Sequence, residues 1–316
     1  MEAIRLASTK RISYEEWKRQ RMKGIGGSDV AAVLGISRWK SALRVYLEKI
    51  DEAPEEEENE AMEIGRKIED FIAGLFKEKT GMYVQRCNAI LQNSEYPWMI
   101  ANIDREIYDE ATDSWGILEL KNVSEYMKND WEGEEIPPEA YVQLQHYLIV
   151  TGRTWGYIAG LIGGKRFEYR RFELDEELAD EIIRREEKFW KENVLKGIPP
   201  AVDGSEDCAT VLEVLFPQSM RKSIDLPSED DLVVEELETL KAQKEEIDKE
   251  ITLRENRLKE RLGDAEAGFT GRYWVFWKSY FSKRFAQSRF KEERPKDYEN
   301  YLEETHSRRF RFKRAS

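Results

Sequence analysis

Three short β-like runs, "MYVQRCNAIL", "WMIANIDREIY" and "WGILELKNV", lie between two segments whose apolar residues recur at helical spacing. No other feature constrains the fold as tightly. From Ala61 to Thr80, Ile64, Ile68, Phe71, Ile72, Leu75 and Phe76 make one apolar helix face that stops at Gly81. "PEAYVQLQHYLIVTG" predicts a second helix closed by Gly152, and "WGYIAGLIGG" with "RFEYRRFEL" predicts a hairpin turning at Gly163 and Gly164. A charged helix follows near Asp175 to Leu195. Upstream, "SYEEWKRQRM" and "SALRVYLEKI" read as helices, and "GIGGSDVAAVLGIS" as a Gly-rich turn entering a short helix with Ser28 or Asp29 as its N-cap. Helices, three strands, helix, hairpin and helix in that order give an α/β class with a mixed central sheet flanked by helices.

The third run poses a chemical question. Residues i and i+2 of a strand share a face, so Glu119 and Lys121 project together while Leu118 and Leu120 turn to the opposite side. One explanation is an exposed strand edge with an ordinary ion pair. The other is a cation site, since Mg²⁺ reaches a protein through one or two carboxylates plus water and substrate phosphate. Asp104, at the end of the neighbouring run, meets the pair if the two strands are partners. Asp104 and Glu119 would then hold the ion, and Lys121 would orient water or offset developing negative charge. Glu69 borders the buried stripe of its helix, where it is either a solvated residue or a third acid reached through water. Gln143 and Gln145 interrupt an apolar helix, and buried amides need partners; a site with metal, water and phosphate would supply them.

Charge tests whether a phosphate-rich partner is plausible. Of 316 residues, 64 are acidic and 51 basic, a net of -13 that opposes nucleic acid as a whole. The balance is uneven: Phe269 to Ser316 holds 13 Lys/Arg against 6 Asp/Glu, so this stretch is basic and a local groove remains open to phosphate. The run "EAPEEEENE" reads as a solvated loop and helix start. Cys87 and Cys208 are too few for a thiolate cluster or a disulfide framework. His146 and His306 give little material for a His-based triad or zinc site, and His146 reads as an ordinary helix-face residue. "GIGGS" lacks the dinucleotide fingerprint, and no Gly-Lys-Ser/Thr phosphate loop exists. No stretch is apolar enough to span a bilayer and the N-terminus has no secretory h-region, which together predict a cytoplasmic protein.

Four segments follow from these patterns: a core over 1–200, a linker over 201–228, a helical arm over 229–263 and a basic, aromatic segment over 264–316. In the arm, one heptad position holds Val233, Leu240, Ile247 and Arg254, and the other holds Leu237, Lys244, Ile251 and Leu258. A coiled coil between chains and an arm folded on its own chain both fit. In the last segment, Trp274, Trp277 and Tyr280 suit either base stacking or a β-element over apolar core, while Arg308, Arg309, Arg311, Lys313 and Arg314 suit phosphate contacts.

"IDRE" followed by "ILELK" resembles the motif of the PD-(D/E)XK nuclease superfamily, with Ile103 where Pro is usual before the first acid. "EEWKRQRMKGIGGSDVAAVLGIS", "GRKIEDFIAGLF", "ANIDRE", "LELK" and "YVQLQHYLIVTG" resemble, in the same order, the YqaJ-like viral recombinases, the group that includes lambda exonuclease. The likeness covers about residues 12–200. It implies a restriction-endonuclease-like core and a Mg²⁺-dependent exonuclease, with Mn²⁺ as a substitute, that degrades linear double-stranded DNA from 5′ ends. The resulting 3′ overhangs pass to a single-strand annealing protein.

On the residues of this chain, the resemblance implies Asp104, Glu119 and Lys121 as the catalytic set, with Glu69 as the helix-borne acid and Gln143 as the helix glutamine. Metal contacts would come from Asp104, Glu119 and the backbone carbonyl of Leu120, and from Glu69 through water. Arg21 and Ser28 match 5′-phosphate positions; Asn102 stands where a serine is found in that pocket, and "NVSEYMK" lacks the arginine found after the family's lysine. A homo-oligomer, a ring of three in the family, is also implied. Two other readings stand beside this one: an endonuclease of the same superfamily, and a non-catalytic DNA-binding assembly protein.

Overall fold

Serine hydroxyls start the first helices. In the computed structural model, which describes residues 3–53, 60–133, 135–303 and 307–313, Ser13 accepts the N–H of Glu16 and Ser41 that of Arg44. These begin α1 (Tyr14–Arg21) and α3 (Ala42–Lys49), preceded by strand β1 (Ile4–Ser8) and separated by α2 (Gly27–Val33). The N-cap of α2 is Gly26 rather than Ser28 or Asp29, because Asp29 sits at the third helical position and reaches back to accept the Gly26 N–H at 3.0 Å. Most of the acidic run (54–59), His306 and Arg314 lie outside the described residues.

Helix α4 (Glu60–Thr80) ends at Gly81, whose φ of +72° is the left-handed conformation glycine favours. Its buried stripe is narrower than the sequence pattern: Ile72 and Phe76 are in the core, but Ile64 and Phe71 stay on the surface. The first two β-like runs each divide into two strands assigned to different sheets. They give β2 (Tyr83–Arg86) and β3 (Ala89–Gln92), then β4 (Ile100–Ala101) and β5 (Arg105–Asp109). Strand β6 (Ser114–Val123) runs unbroken, and a 3₁₀ segment over Glu125–Trp131 leads to α5 (Pro138–Thr151). The hairpin is β7 (Trp155–Ile162) and β8 (Arg166–Glu173); Asp175 then caps α6 (Glu176–Lys188), which continues as one π-helical segment to Val194.

The central sheet has the order β2-β5-β6-β7-β8, antiparallel throughout except for the β6–β7 pair. It is mixed and flanked by helices, as the resemblance implies. A smaller sheet, β1-β3-β4, was not foreseen at its β1 strand. Alternation along β6 sorts the two layers. Leu118 and Leu120 pack with Ile72 and Phe76 of α4, whereas Ile117 packs with Leu144 and Leu148 of α5. The segment read as a linker contains α7 (Glu206–Leu215), whose Cys208 and Val211 are buried with Leu43, Val45 and Phe189. Asp207 of α7 accepts the Ser41 N–H at 2.8 Å, so the first compact unit runs through Phe216.

The second unit, Pro217–Ser316, holds a single 33-residue helix, α8 (Asp230–Leu262). It continues with the two-stranded pair β9 (Ala267–Phe269) and β10 (Trp274–Phe276), then α9 (Gln287–Glu293) and α10 (Pro295–Asn300). Among the described residues, no helix is long and apolar enough to cross a membrane.

The face of α4 that meets the sheet can be tested directly. Phe76→Ala removes a fully buried ring and is expected to lower unfolding free energy by about 3–5 kcal/mol. Phe71→Ala, at an exposed ring, should stay within about 0.5 kcal/mol by the same urea titration.

Candidate active site

Antiparallel pairing of β5 with β6 matches Arg105 to Leu118, which brings Asp104 to the level of Glu119. The Asp104 carboxylate accepts the Leu120 N–H at 2.8 Å, tying its position to the strand that carries the other acid. Glu119 is only 2% exposed, and its Oε1 pairs with Lys121 Nζ at 2.7 Å. Both side chains point to the α5 layer. There Lys121 Nζ also donates to Gln143 Oε1 at 2.7 Å, and Gln143 Nε2 donates to the Tyr147 hydroxyl at 3.0 Å. An exposed strand edge with an ordinary pair is therefore excluded: β6 lies inside the sheet, Glu119 is buried and Lys121 is half-buried.

Electrostatics marks the cluster as short of positive charge. Burial, and then the neighbouring charges of Glu119 and Glu69, push the Asp104 carboxyl well above its ordinary range. Burial works against the Lys121 ammonium, yet Glu119 and Asp104 raise it above its ordinary value, so Lys121 is a cation and not a base at neutral pH. Tyr147 is raised by burial and by the same two acids. One oxygen, Glu119 Oε2, is buried and has no hydrogen-bond partner. Two neighbouring carboxylates with an orphaned oxygen fit an added divalent cation, which would supply the missing partner. Among the described residues, no group of three or more His, Cys, Asp and Glu converges as a metal site, so the cation would depend on two acids with water and substrate.

Glu69 stands close enough to Asp104 and Glu119 for their charges to act on one another, and it also has a cation of its own. It rides on α4, which covers the opposite face of the sheet, and its ion-pair partner is Arg105 Nη1 at 3.7 Å. Burial raises the Glu69 carboxyl, Arg105 opposes that, and the charge of Glu119 adds to it. Arg105 also donates to the Asp104 carbonyl at 2.7 Å and to Asp70 at 2.8 Å, fastening α4 to the start of β5. The helix amides are likewise satisfied by the protein. Gln145 donates to the Glu173 carbonyl at 3.0 Å and accepts the Asp175 N–H at 2.9 Å, away from the acids. His146, read as a helix-face residue, is fully buried and bonded through its two ring nitrogens to Glu186 and the Ile100 carbonyl, each at 2.8 Å.

A pocket of about 170 Å³ joins Asp104 to the glycine turn, with Arg21, Ser28, Asn102, Gln143 and Tyr147 also in its wall. The turn is stitched beside the acids because Ile25 donates to the Trp98 carbonyl at 2.6 Å and accepts the Ile100 N–H at 2.9 Å. Gly27 lets this happen: a Cβ there would lie 2.3 Å from the Tyr147 ring. Arg21 donates to Ser28 Oγ at 2.8 Å, so guanidinium and hydroxyl face the same space.

Behind that wall Asp29, Lys40 and Lys49 form an ion cluster that the sequence reading missed. Asp29, fully buried, accepts Lys49 Nζ at 2.7 Å and Lys40 Nζ at 2.8 Å, and pairs with Arg21 at 3.3 Å. Lys49 also donates to the Arg21 carbonyl at 3.1 Å. Burial alone would raise the Asp29 carboxyl, but Lys40, Lys49 and Arg21 hold it well below the ordinary carboxylate range. Spacing gives no hint of this cluster, because Lys40 and Lys49 reach Asp29 from the far side of a turn. Tyr147 did leave a signal, one helical turn after Gln143. The basic aromatic residues lie in the second unit, where Trp274 and Trp277 are exposed, as are Arg308, Arg309 and Arg311.

The model of the YqaJ-like viral recombinase domain matches residues 16–154, and the chain belongs to that family. An uncharacterised protein named YqaJ from Bacillus subtilis (strain 168) is 38% identical over 315 residues, spanning 98% of each chain. Similar solved structures include an alkaline exonuclease, LHK-Exo, from Laribacter hongkongensis, at 21% identity and a TM-score of 0.49 over 58% of this chain and 94% of that one. A phage related exonuclease from Haemophilus somnus 129PT aligns at 11% identity and a TM-score of 0.40, over 57% of this chain and 99% of that one.

The Asp29 cluster gives a pH-dependent expectation. A depressed folded pKa contributes stability that is present above the unfolded value near 4 and is lost as pH falls through the folded value. Asp29→Asn removes the shared anion of three cations, of which Lys40 keeps Glu48, and should cost about 3–5 kcal/mol at pH 7. In urea titrations from pH 7 to 2, the gap from wild type should narrow only at the acid end; a constant gap contradicts the assignment.

Proposed function

We propose that this chain is a metal-dependent deoxyribonuclease that shortens linear double-stranded DNA from its 5′ ends. One observation carries the reading: Asp104, level with Glu119 on the paired strand, and Gln143, which holds Lys121, line a pocket that also bears Arg21 and Ser28. Asp104, Glu119 and the Leu120 carbonyl would hold a Mg²⁺ or Mn²⁺ ion, with Glu69 acting through water. When bound, the ion polarises the scissile phosphate and lowers the pKa of the attacking water. Lys121, kept protonated and fixed by Glu119 and Gln143, donates to the phosphate oxygens as negative charge builds on them. Gln143, itself steadied by Tyr147, sets the Lys121 ammonium in one direction.

At the other end of the pocket, Arg21 offers a guanidinium and Ser28 a hydroxyl to a terminal phosphate, with Asn102 at the rim. A phosphate seated there would leave the next phosphodiester toward the acids, which supports stepwise removal of 5′-mononucleotides. The 3′ overhang left behind is the substrate class of a single-strand annealing protein. Arg308, Arg309, Arg311, Trp274 and Trp277 are candidates for further DNA contact.

The test uses linear duplex phosphorylated at one 5′ end, and covalently closed circular duplex, each with and without Mg²⁺. Wild type should shorten only the phosphorylated strand and leave the circle intact. Glu119→Ala and Lys121→Ala should each lose about 10²–10³-fold or more in rate while retaining the wild-type far-UV spectrum. Arg21→Ala should erase the preference for the phosphorylated end. Cleavage of the circle supports the endonuclease reading instead, and digestion at wild-type rate by both site variants removes the assignment.

A further inference from the structure

Helix α8 displays an apolar stripe that the described residues of its own unit leave mostly exposed. Val233, Leu240, Ile247 and Ile251 are each at least 50% exposed, and Leu258 is 36% exposed. These residues, with Leu237, fill six of the eight core positions of the heptads from Val233 to Leu258. The remaining two are Lys244 and Arg254. Other faces of the helix are mostly charged, so the stripe is a seam and not general hydrophobicity.

We propose that α8 pairs antiparallel with α8 of a second copy of this chain, about a two-fold axis between Glu245 and Glu246. Charge decides the partner and the direction. A parallel pair would stack Lys244 on Lys244 and Arg254 on Arg254 in the seam, and would set Glu250 beside Glu255 across the interface. The antiparallel pair removes each conflict. Lys244 then meets Ile247, Arg254 meets Leu237, Ile251 meets Leu240 and Leu258 meets Val233, each across the axis. On the flanks Glu236 meets Arg257 and Lys241 meets Asp248, and each pair occurs twice by symmetry.

Two further features agree. The axis falls at the middle of the 33-residue helix, so the whole seam overlaps with its copy and spans about 50 Å. Lys241, whose ammonium lies 4.4 Å from the Phe312 ring, sits at the edge of the stripe; Leu237 is half-buried, while the other five apolar seam residues are exposed. The proposal does not depend on nuclease activity.

Sedimentation equilibrium of the full chain tests it. Ile247→Glu with Ile251→Glu, at two exposed positions, should halve the wild-type mass without changing the far-UV spectrum. Arg257→Glu sets Glu against Glu236 and should raise the dissociation constant roughly tenfold, from two pairs at about 0.5–1 kcal/mol each. Adding Glu236→Arg should restore it. An unchanged mass in the Ile247/Ile251 variant would mean that the stripe is covered by its own chain or by a different protein, and overturns the proposal. Insensitivity to Arg257→Glu together with weakening by Glu236→Arg alone indicates parallel pairing and overturns it equally.

Discussion

The antiparallel pairing of β5 with β6 is the constraint on which the site depends. Pairing Arg105 with Leu118 lets the Asp104 carboxylate take the Leu120 N–H and stand beside Glu119. A slip of one residue would send Glu119 and Lys121 into the α4 layer and turn Leu118 and Leu120 toward the pocket. The leucines oppose that slip, because they are packed with Ile72 and Phe76. The apolar face of the strand thus sets the position of its charged face, and core packing underwrites the chemistry.

A second constraint keeps the glycine turn at the same pocket. Backbone bonds from Ile25 to the Trp98–Ile100 segment bring the turn beside Asp104, and buried Asp29 gathers Arg21, Lys40 and Lys49 behind it. Burying one acid among three cations is favourable only as a paired network, since each ion alone would be costly in a dry interior. The network fixes the backbone and side chain of Arg21 together, through the Lys49 bond to its carbonyl and the Asp29 pair. Opposite charges therefore serve the two ends of one pocket, with excess acid at β5–β6 and excess base at the turn.

Much of this arrangement was legible in the sequence where a single periodicity governed. Period two along "WGILELKNV" separated the leucines from Glu119 and Lys121, and period 3.6 located α4 and α5. Reading failed where two elements compete for one run. "WMIANIDREIY" contains no Gly or Pro and alternates from Ala101 to Asp104, so its break at Asn102–Asp104, where the chain leaves one sheet for another, carries no separate signal. The same holds for Gln145 and His146, whose partners on β8, α6 and β4 are remote in sequence. Glu69 was read at the border of its helix's buried stripe, but helix periodicity carries no signal of the Arg105 ion pair that it makes there.

The central claim is that Asp104 and Glu119 together form a divalent-cation site. Direct binding of Mn²⁺ to the full chain, followed by electron paramagnetic resonance in the absence of DNA, addresses it without reference to activity. The wild-type chain is predicted to take up an ion that is lost in Asp104→Asn with Glu119→Gln, while the single change Lys121→Met leaves uptake in place. Equal uptake by the wild type and the double variant would contradict the claim.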